Sequence, residues 1–465
     1  MSEYAIGRHE EHILGLDEGS RKRAIFSIRT ILLLFCWLCM WQGWSVAGSV
    51  FQLNFLSELN LGLLLHETVL VFAFVFLVLE RVFTQDFTLK RSYYAAPMAL
   101  LGLALFISWA RGSFIRQEVG IVYEAHESIQ VVIAYFIMIN IFRTEEDRKL
   151  LVPMLLFATI MKALDGISVK VAGIDGMAGW GVLLLWRDGF LLALGITGTM
   201  LLMHYKGAQY KWLRTTMLCA IPLLFYTLII SYRRTFFLAL LVSAFAMLMT
   251  VGKGRRKQHM KLLLYLILAL AVFILFTDPL GFMARLFGVL QPKEEGSAYI
   301  RLLEYPNVIR NIEDNPIWGT AIGTQWHQYY RMPLFANFTT LGCHNTYLYW
   351  PLRAGILGSI GFLWLLGRIW KSLLINWRLR KTEEDFLITQ ISIHIMIIYN
   401  VASFFGLMYS DAMTSMTGIF LALFQLQMTK ASGLTSYAKV SLFRTLKEGT
   451  IVYKGQDRLL EIARK

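Results

Sequence analysis

Long apolar runs alternate with short polar segments from end to end of the chain, and this alternation is its dominant pattern. A bilayer core is crossed by about 20 apolar residues at 1.5 Å of rise each, with every backbone polar group satisfied inside the helix. Twelve runs meet that description, near residues 30–50, 59–79, 93–110, 124–142, 150–166, 179–203, 213–231, 234–251, 261–281, 345–367, 386–409 and 412–429. The predicted fold class is therefore all-α, a polytopic membrane protein. The chain divides into a cytoplasmic N-terminal segment (1–24), spans one to nine (25–281), a large outer loop (282–344), spans ten to twelve (345–429) and a basic cytoplasmic tail (430–465).

Composition agrees. The 465 residues are 56% hydrophobic and only 16% charged, with a mean hydropathy of +0.53. A soluble domain would carry roughly 25% charge. The net charge of +14 would suit a nucleic-acid partner if it lay on one exposed face. Instead Lys and Arg concentrate in the loops on the side of the N-terminus, including Arg21-Lys22-Arg23 and Lys253 to Lys257. Such a bias sets topology and meets anionic headgroups, so membrane lipids are expected partners and nucleic acid is not. The first apolar run is too long for a signal peptide and lacks a small-residue cleavage site after it, so none is expected. Cys36 and Cys39 fall inside an apolar span, where packing is the expected role rather than redox chemistry. Thr144-Glu145-Glu146-Asp147 and Thr382-Glu383-Glu384-Asp385 precede spans five and eleven and read as solvated helix caps.

The outer loop holds two expected short helices, Phe282–Leu290 and Ser297 to Asp314. The second should be interrupted or bent at Pro306, and Asn315-Pro316 should force an extended exit. Its aromatic residues argue for packing on the membrane surface rather than disorder. The loop ends in Cys343-His344-Asn345, and span ten begins there. An imidazole thus sits at a water–lipid boundary beside a helix N-terminus, which favours anions.

Ionisable groups within spans are costly and mark functional paths by default. On the predicted topology they crowd the outer half: His66 and Glu67, Glu124, His126 and Glu127, Lys162 and Asp165, Arg187 and Asp188. Arg233 and Arg234 occupy the short outer turn between spans seven and eight, where the positive-inside bias disfavours them; anion binding is the preferred reading. Arg187-Asp188 reads equally well as a neutralised structural pair, His126 and Glu127 as groups that snorkel to the interface. His327 reads as solvated and His394 as hydrogen-bonded packing. Asp-x-Asp, His-Glu-x-x-His, Gly-Lys-Ser/Thr and Gly-x-Ser-x-Gly are all missing from the sequence, and the histidines are too scattered for metal ligation. No metal or cofactor is expected; if a diphosphate is handled, arginine must supply the charge.

Several residues then resemble a family in their order and spacing. Ser231-Tyr232-Arg233-Arg234 before an apolar span, Arg301 in a loop helix, Asn315-Pro316 with Gly319 and Gly323, His344-Asn345-x-x-Leu348, and Gly355-Ile356-Leu357-Gly358 resemble the O-antigen ligase/polymerase superfamily. Arg353 departs from it, standing where the family often has an acid. The resemblance implies a glycosyltransferase of the bacterial inner membrane, its site facing the periplasm. The donor would be a glycan on undecaprenyl diphosphate, the acceptor a hydroxyl on a lipid-linked or lipid A-core glycan. It further implies His344 as general base, Arg234 and Arg301 as diphosphate ligands, Arg233 as alternate to Arg234, and Arg187 and Asn345 as weaker members of the site. Asn345 would orient His344 or cap its helix. The rival expectation is a transporter or flippase for the same lipids.

Overall fold

A computed structural model describes residues 28–37, 65–84, 88–90, 92–116, 121–142, 145–171, 186–205, 207–231, 233–250, 296–332, 343–406, 413–432 and 437–439, with isolated residues between 256 and 268. Helices make up nearly all of it: α1 (Ile28–Trp37), α2 (Leu65–Thr84), α3 (Ala95–Ala110), α4 (Ile121–Ile141), α5 (Glu145–Val171), α6 (Trp186–His204), α7 (Lys211–Ile230), α8 (Arg234–Thr250), α9 (Gly296–Asp314), α10 (Thr346–Leu379), α11 (Glu383–Phe405) and α12 (Met413–Ser432). One antiparallel strand pair, Thr88–Lys90 with Tyr437–Lys439, is the exception among the described residues. Five of these helical segments are long and apolar enough to cross a membrane, and α1, α6, α8 and part of α4 are shorter apolar helices. Leu103, Phe106, Leu241, Phe245, Ile360 and Leu363 point outward and are about half exposed or more. A helix apolar on its outer as well as its inner face belongs in lipid. Expected span nine and the expected helix Phe282–Leu290 lie outside the described residues, as do the side chains of His66, Glu67, Glu124, His126 and Glu127.

Packing pairs α4 with α12, α3 with α10, and α8 with α11 around a core that includes Tyr94, Tyr135, Phe190 and Phe424. Cys36 is buried in that core, as expected of a packing cysteine, whereas Cys39 lies outside the described residues. His394 is also fully buried and its Nδ1 meets Ser243 Oγ at 2.8 Å. The cap expected at Thr382 is present: its hydroxyl accepts from Asp385 N at 3.1 Å while Asp385 Oδ2 accepts from Thr382 N at 3.2 Å. The acids, however, are not simply solvated. Asp385 is buried and pairs with Lys430 at 2.9 Å, and Asp147 is buried against Arg29 of α1. Each links the first turn of its helix to a neighbouring helix, while the cap residue expected at Thr144 lies outside the described residues.

At Pro306 the interruption is not found, and at Asn315-Pro316 the extended exit is not found. The α9 helix runs through Pro306 without interruption. Proline removes one N–H, yet the same helix is tied down on its other side by Glu304, Asn307 and Asn311, and that tertiary hold outweighs one lost bond. The exit at Asn315-Pro316 is a turn instead of an extended strand, closed by Gly319 N–H on Asn315 O at 2.8 Å. Proline restricts Asn315 alone, and the chain is free to turn beyond it.

That turn inserts into α10. Gly355 is non-helical at φ 58° and ψ −147°, which splits α10 at the point where Ile317 docks. Ile356 N–H donates to Ile317 O at 3.2 Å, and Thr320 N–H donates to Leu352 O at 2.6 Å. A Cβ at Gly355 would stand 2.1 Å from Ile317 O, and one at Gly319 (φ 69°) would stand 2.6 Å from both the Arg353 carbonyl carbon and Leu352 O. Arg353, fully buried, clamps the same loop: its guanidinium donates to Ala321 O at 3.1 Å and Thr324 O at 2.6 Å. Its departure from the family pattern therefore has a structural use. Gly355→Ala should destabilise the protein by at least ~1–2 kcal/mol from the left-handed backbone alone, and more from the clash with backbone. A lowered apparent Tm in detergent is the expected result; a wild-type Tm would mean the loop does not need this insertion.

Candidate active site at the start of helix α10

The site is assembled from the buried face of α9, the N-terminus of α10 and the C-terminus of α11. On α9 the buried positions Ile300, Glu304, Asn307, Val308 and Asn311 recur at helical spacing and form one face. Three of these five are polar, so the face is built for specific partners.

Glu304 is wholly buried and takes two bonds from one residue. Its Oε2 lies 2.6 Å from His344 Nδ1, and its Oε1 accepts the His344 backbone N–H. A carboxylate that accepts from both requires the ring proton on Nδ1, which leaves Nε2 with its lone pair as the basic nitrogen. The His344 side chain remains 41% exposed, so that nitrogen is reachable. Asn345 caps α10: its side-chain oxygen accepts from Tyr347 N at 2.9 Å and Leu348 N at 3.1 Å, and its amide donates to Phe404 O at 3.2 Å. Tyr305 donates to the same carbonyl at 2.8 Å, and Thr346 to Gly406 O at 2.9 Å. These bonds fix the His344 segment between α9 and α11.

Arg301 precedes Glu304 by three residues, hence on the same face of α9. Burial pushes its guanidinium pKa down, while Tyr305 and Glu304 oppose the shift. Arg233, in the turn between α7 and α8, is pushed down to about 10, first by burial and further by Arg301; Asp188 acts the other way. The two cations thus stand within each other's field, and an anion between them would relieve both. Asp188, which adjacency would pair with Arg187, has a cation from another helix beside it. It is buried and lies 3.2 Å from Lys162 Nζ, which also meets Asp165 at 2.9 Å. Adjacent residues on a helix point about 100° apart, so Asp188 faces α5.

Of the expected site residues, His344 is bonded to Glu304, whose charge acts on Arg301, and Arg301 in turn acts on Arg233. Arg234 opens α8 and is half-buried. Asn345 serves as a helix cap, and the Arg187 side chain lies outside the described residues. Glu304 went unnoticed in the sequence. The signal was the Arg301-x-x-Glu304 spacing, which stacks the two on one helix face, but nothing in it names His344 as the partner.

Residues 217–363 match the O-antigen ligase family model. The O-antigen ligase match runs from within α7 to within α10 and so contains Arg233, Arg234, Arg301, Glu304, His344 and the loop inserted at Gly355. It supports the O-antigen ligase/polymerase superfamily and, in general terms, a glycosyltransferase acting on lipid-linked glycans; with the apolar helices it suggests a multi-pass membrane protein. Among curated proteins no match to the chain is found.

Proposed function

We propose that this protein transfers a glycan from undecaprenyl diphosphate to an acceptor hydroxyl at the periplasmic face of the bacterial inner membrane. The observation that carries the reading is the His344 ring held on buried Glu304, one helical turn from Arg301. The acceptor oxygen attacks the anomeric carbon, the bond from that carbon to the diphosphate oxygen breaks, and the acceptor proton passes to His344 Nε2. A positioned base of this kind contributes roughly 10²–10⁴-fold. Negative charge grows on the departing diphosphate, and Arg301 and Arg233 are assigned to receive it. Arg234 and Arg187 flank them in the proposal, and Asn345 acts by holding the His344 segment in place. This chemistry asks for no metal.

The reading is tested with purified protein in lipid vesicles, a lipid-linked glycan as donor and a glycan acceptor. A new glycosidic bond supports it; donor crossing the vesicle membrane with no bond formed would make the protein a transporter. Arg301→Lys is expected to lower the transfer rate by roughly a hundredfold, because a point charge cannot reproduce the two-pronged contact of guanidinium with phosphate oxygens. An unchanged rate would assign Arg301 to packing.

A further inference from the structure

Two turns along α9 from Glu304 lies a cavity of about 490 Å³, open on one side, whose walls include Asn311, Asn315, Gln325, Trp326, His327 and Tyr329. We propose that it is a sugar-binding subsite that holds a neutral, hydroxyl-rich stretch of glycan while the reacting end lies at His344. The proposal rests on the transfer reaction above and names where part of its substrate is recognised.

The cavity is a built feature. Asn311 and Asn307, one turn apart and both buried, treat the 327–330 segment as a strand edge. Asn311 accepts from His327 N at 2.9 Å and donates to His327 O at 2.7 Å; Asn307 accepts from Tyr330 N at 2.8 Å and donates to Tyr330 O at 2.9 Å. Four hydrogen bonds therefore fix the wall that carries His327. Its volume falls within the roughly 300–1,000 Å³ typical of small-molecule sites.

The lining selects the ligand class. Among the described residues no Lys or Arg lines the cavity, which argues against a diphosphate there. Arg310 pairs with Glu313 at 3.1 Å and lies over the Tyr329 ring. Among the described residues no group of His, Cys, Asp and Glu could hold a metal ion. What remains is carboxamides, an imidazole and aromatic rings. A carboxamide offers a donor and an acceptor side by side, which matches neighbouring ring hydroxyls. The edge-on pair of His327 and Tyr329, centroids 4.6 Å apart, offers a π face to sugar C–H groups. Gln325 and His327 are exposed, and their side chains make no hydrogen bond within the described residues. Position fits as well. Glu304 to Asn311 is seven residues, ~10 Å of helix at 1.5 Å each and on one face, so a chain could reach from the cavity to the reacting hydroxyl.

The experiment titrates full-length protein in nanodiscs with neutral hexose and N-acetylhexosamine oligosaccharides of one to four units, read by tryptophan fluorescence and calorimetry, with inorganic pyrophosphate as control. Wild type should bind the longer oligosaccharides, and Gln325→Ala with His327→Ala should weaken that binding about tenfold or more, the loss of two neutral hydrogen bonds. Pyrophosphate binding should be unchanged in the double variant. Both side chains are exposed, so folding is not at stake; an unchanged Tm checks this. No oligosaccharide binding by wild type, equal binding by the double variant, or loss of pyrophosphate binding instead, each overturns the subsite. His344→Ala serves as the separating control. It should bind oligosaccharide normally and transfer at least about a hundredfold more slowly, whereas transfer at the wild-type rate in that variant would refute the catalytic reading and leave the cavity intact.

Discussion

Replacing His344 with alanine is expected to lower glycan transfer by roughly 10²–10⁴-fold, the contribution of a positioned general base. The acceptor hydroxyl is a poor nucleophile at neutral pH, and its proton must go to a group that is both basic and reachable. His344 Nε2 meets both needs because Nδ1 is tied to Glu304 at 2.6 Å and the ring is partly open to solvent. The loss should fall on kcat, with donor binding close to wild type, because the diphosphate is assigned to Arg301 and Arg233. Steady-state transfer assays with varied donor check the split. A variant that keeps full kcat would remove His344 from the chemistry, and one that loses only donor affinity would make it a binding residue.

Glu304→Gln should do nearly as much damage with almost no change in shape. The two carboxylate oxygens have different jobs: Oε1 takes the His344 backbone N–H, and Oε2 takes the proton on Nδ1. Glutamine can still accept the backbone N–H, but its amide then presents hydrogens to Nδ1. The imidazole must switch tautomer, which places a proton on Nε2 and removes the lone pair the acceptor needs. Transfer should fall ~10²-fold or more, within the range of a lost base, while the apparent Tm shifts by only a few degrees. Groups that act as a unit are not additive, so Glu304→Gln added to His344→Ala should cost nothing further. A multiplicative loss in the double variant would mean that Glu304 acts elsewhere than on the ring.

How much of this was readable beforehand differs between local and distant features. The described parts of helices α3 to α8 agree with their expected limits to within a few residues, apart from a longer α5, because a twenty-residue apolar run leaves the backbone no other way to satisfy its polar groups. The Thr382 cap was legible because it follows from residues three positions apart, and the burial of His394 because it lies mid-span, although its partner Ser243 comes from another helix. The α9 helix was legible, its continuity through Pro306 was not. That outcome depends on Glu304, Asn307 and Asn311 finding partners 16 to 40 residues away. Lys162 of α5 beside Asp188 shows the same limit: a cation 26 positions away could not be read from the residues around Asp188.

Arg353 shows why a motif departure is hard to judge from sequence. As a letter it replaces an expected acid and raises doubt about the acceptor. In space it is a bracket for the 320–324 turn, with Ser108 of α3 donating to its backbone carbonyl at 2.6 Å and also accepting from Ile322 N at 3.0 Å. Three segments far apart in the chain converge there, and none of them signals the others.

By itself, the sequence determined a bundle of apolar helices, a polar segment before α10 and a short set of arginines and one histidine with chemistry suited to phosphate and proton transfer. Hydropathy and residue type are properties of single positions and short windows, and the bilayer reads them directly. Only the tertiary structure decided that Glu304 would set the tautomer of His344, that Arg233 would lie in the field of Arg301, and that the loop would enter α10 at Gly355. Those are relations between residues more than thirty positions apart, and they exist only once helix packing has chosen which faces meet.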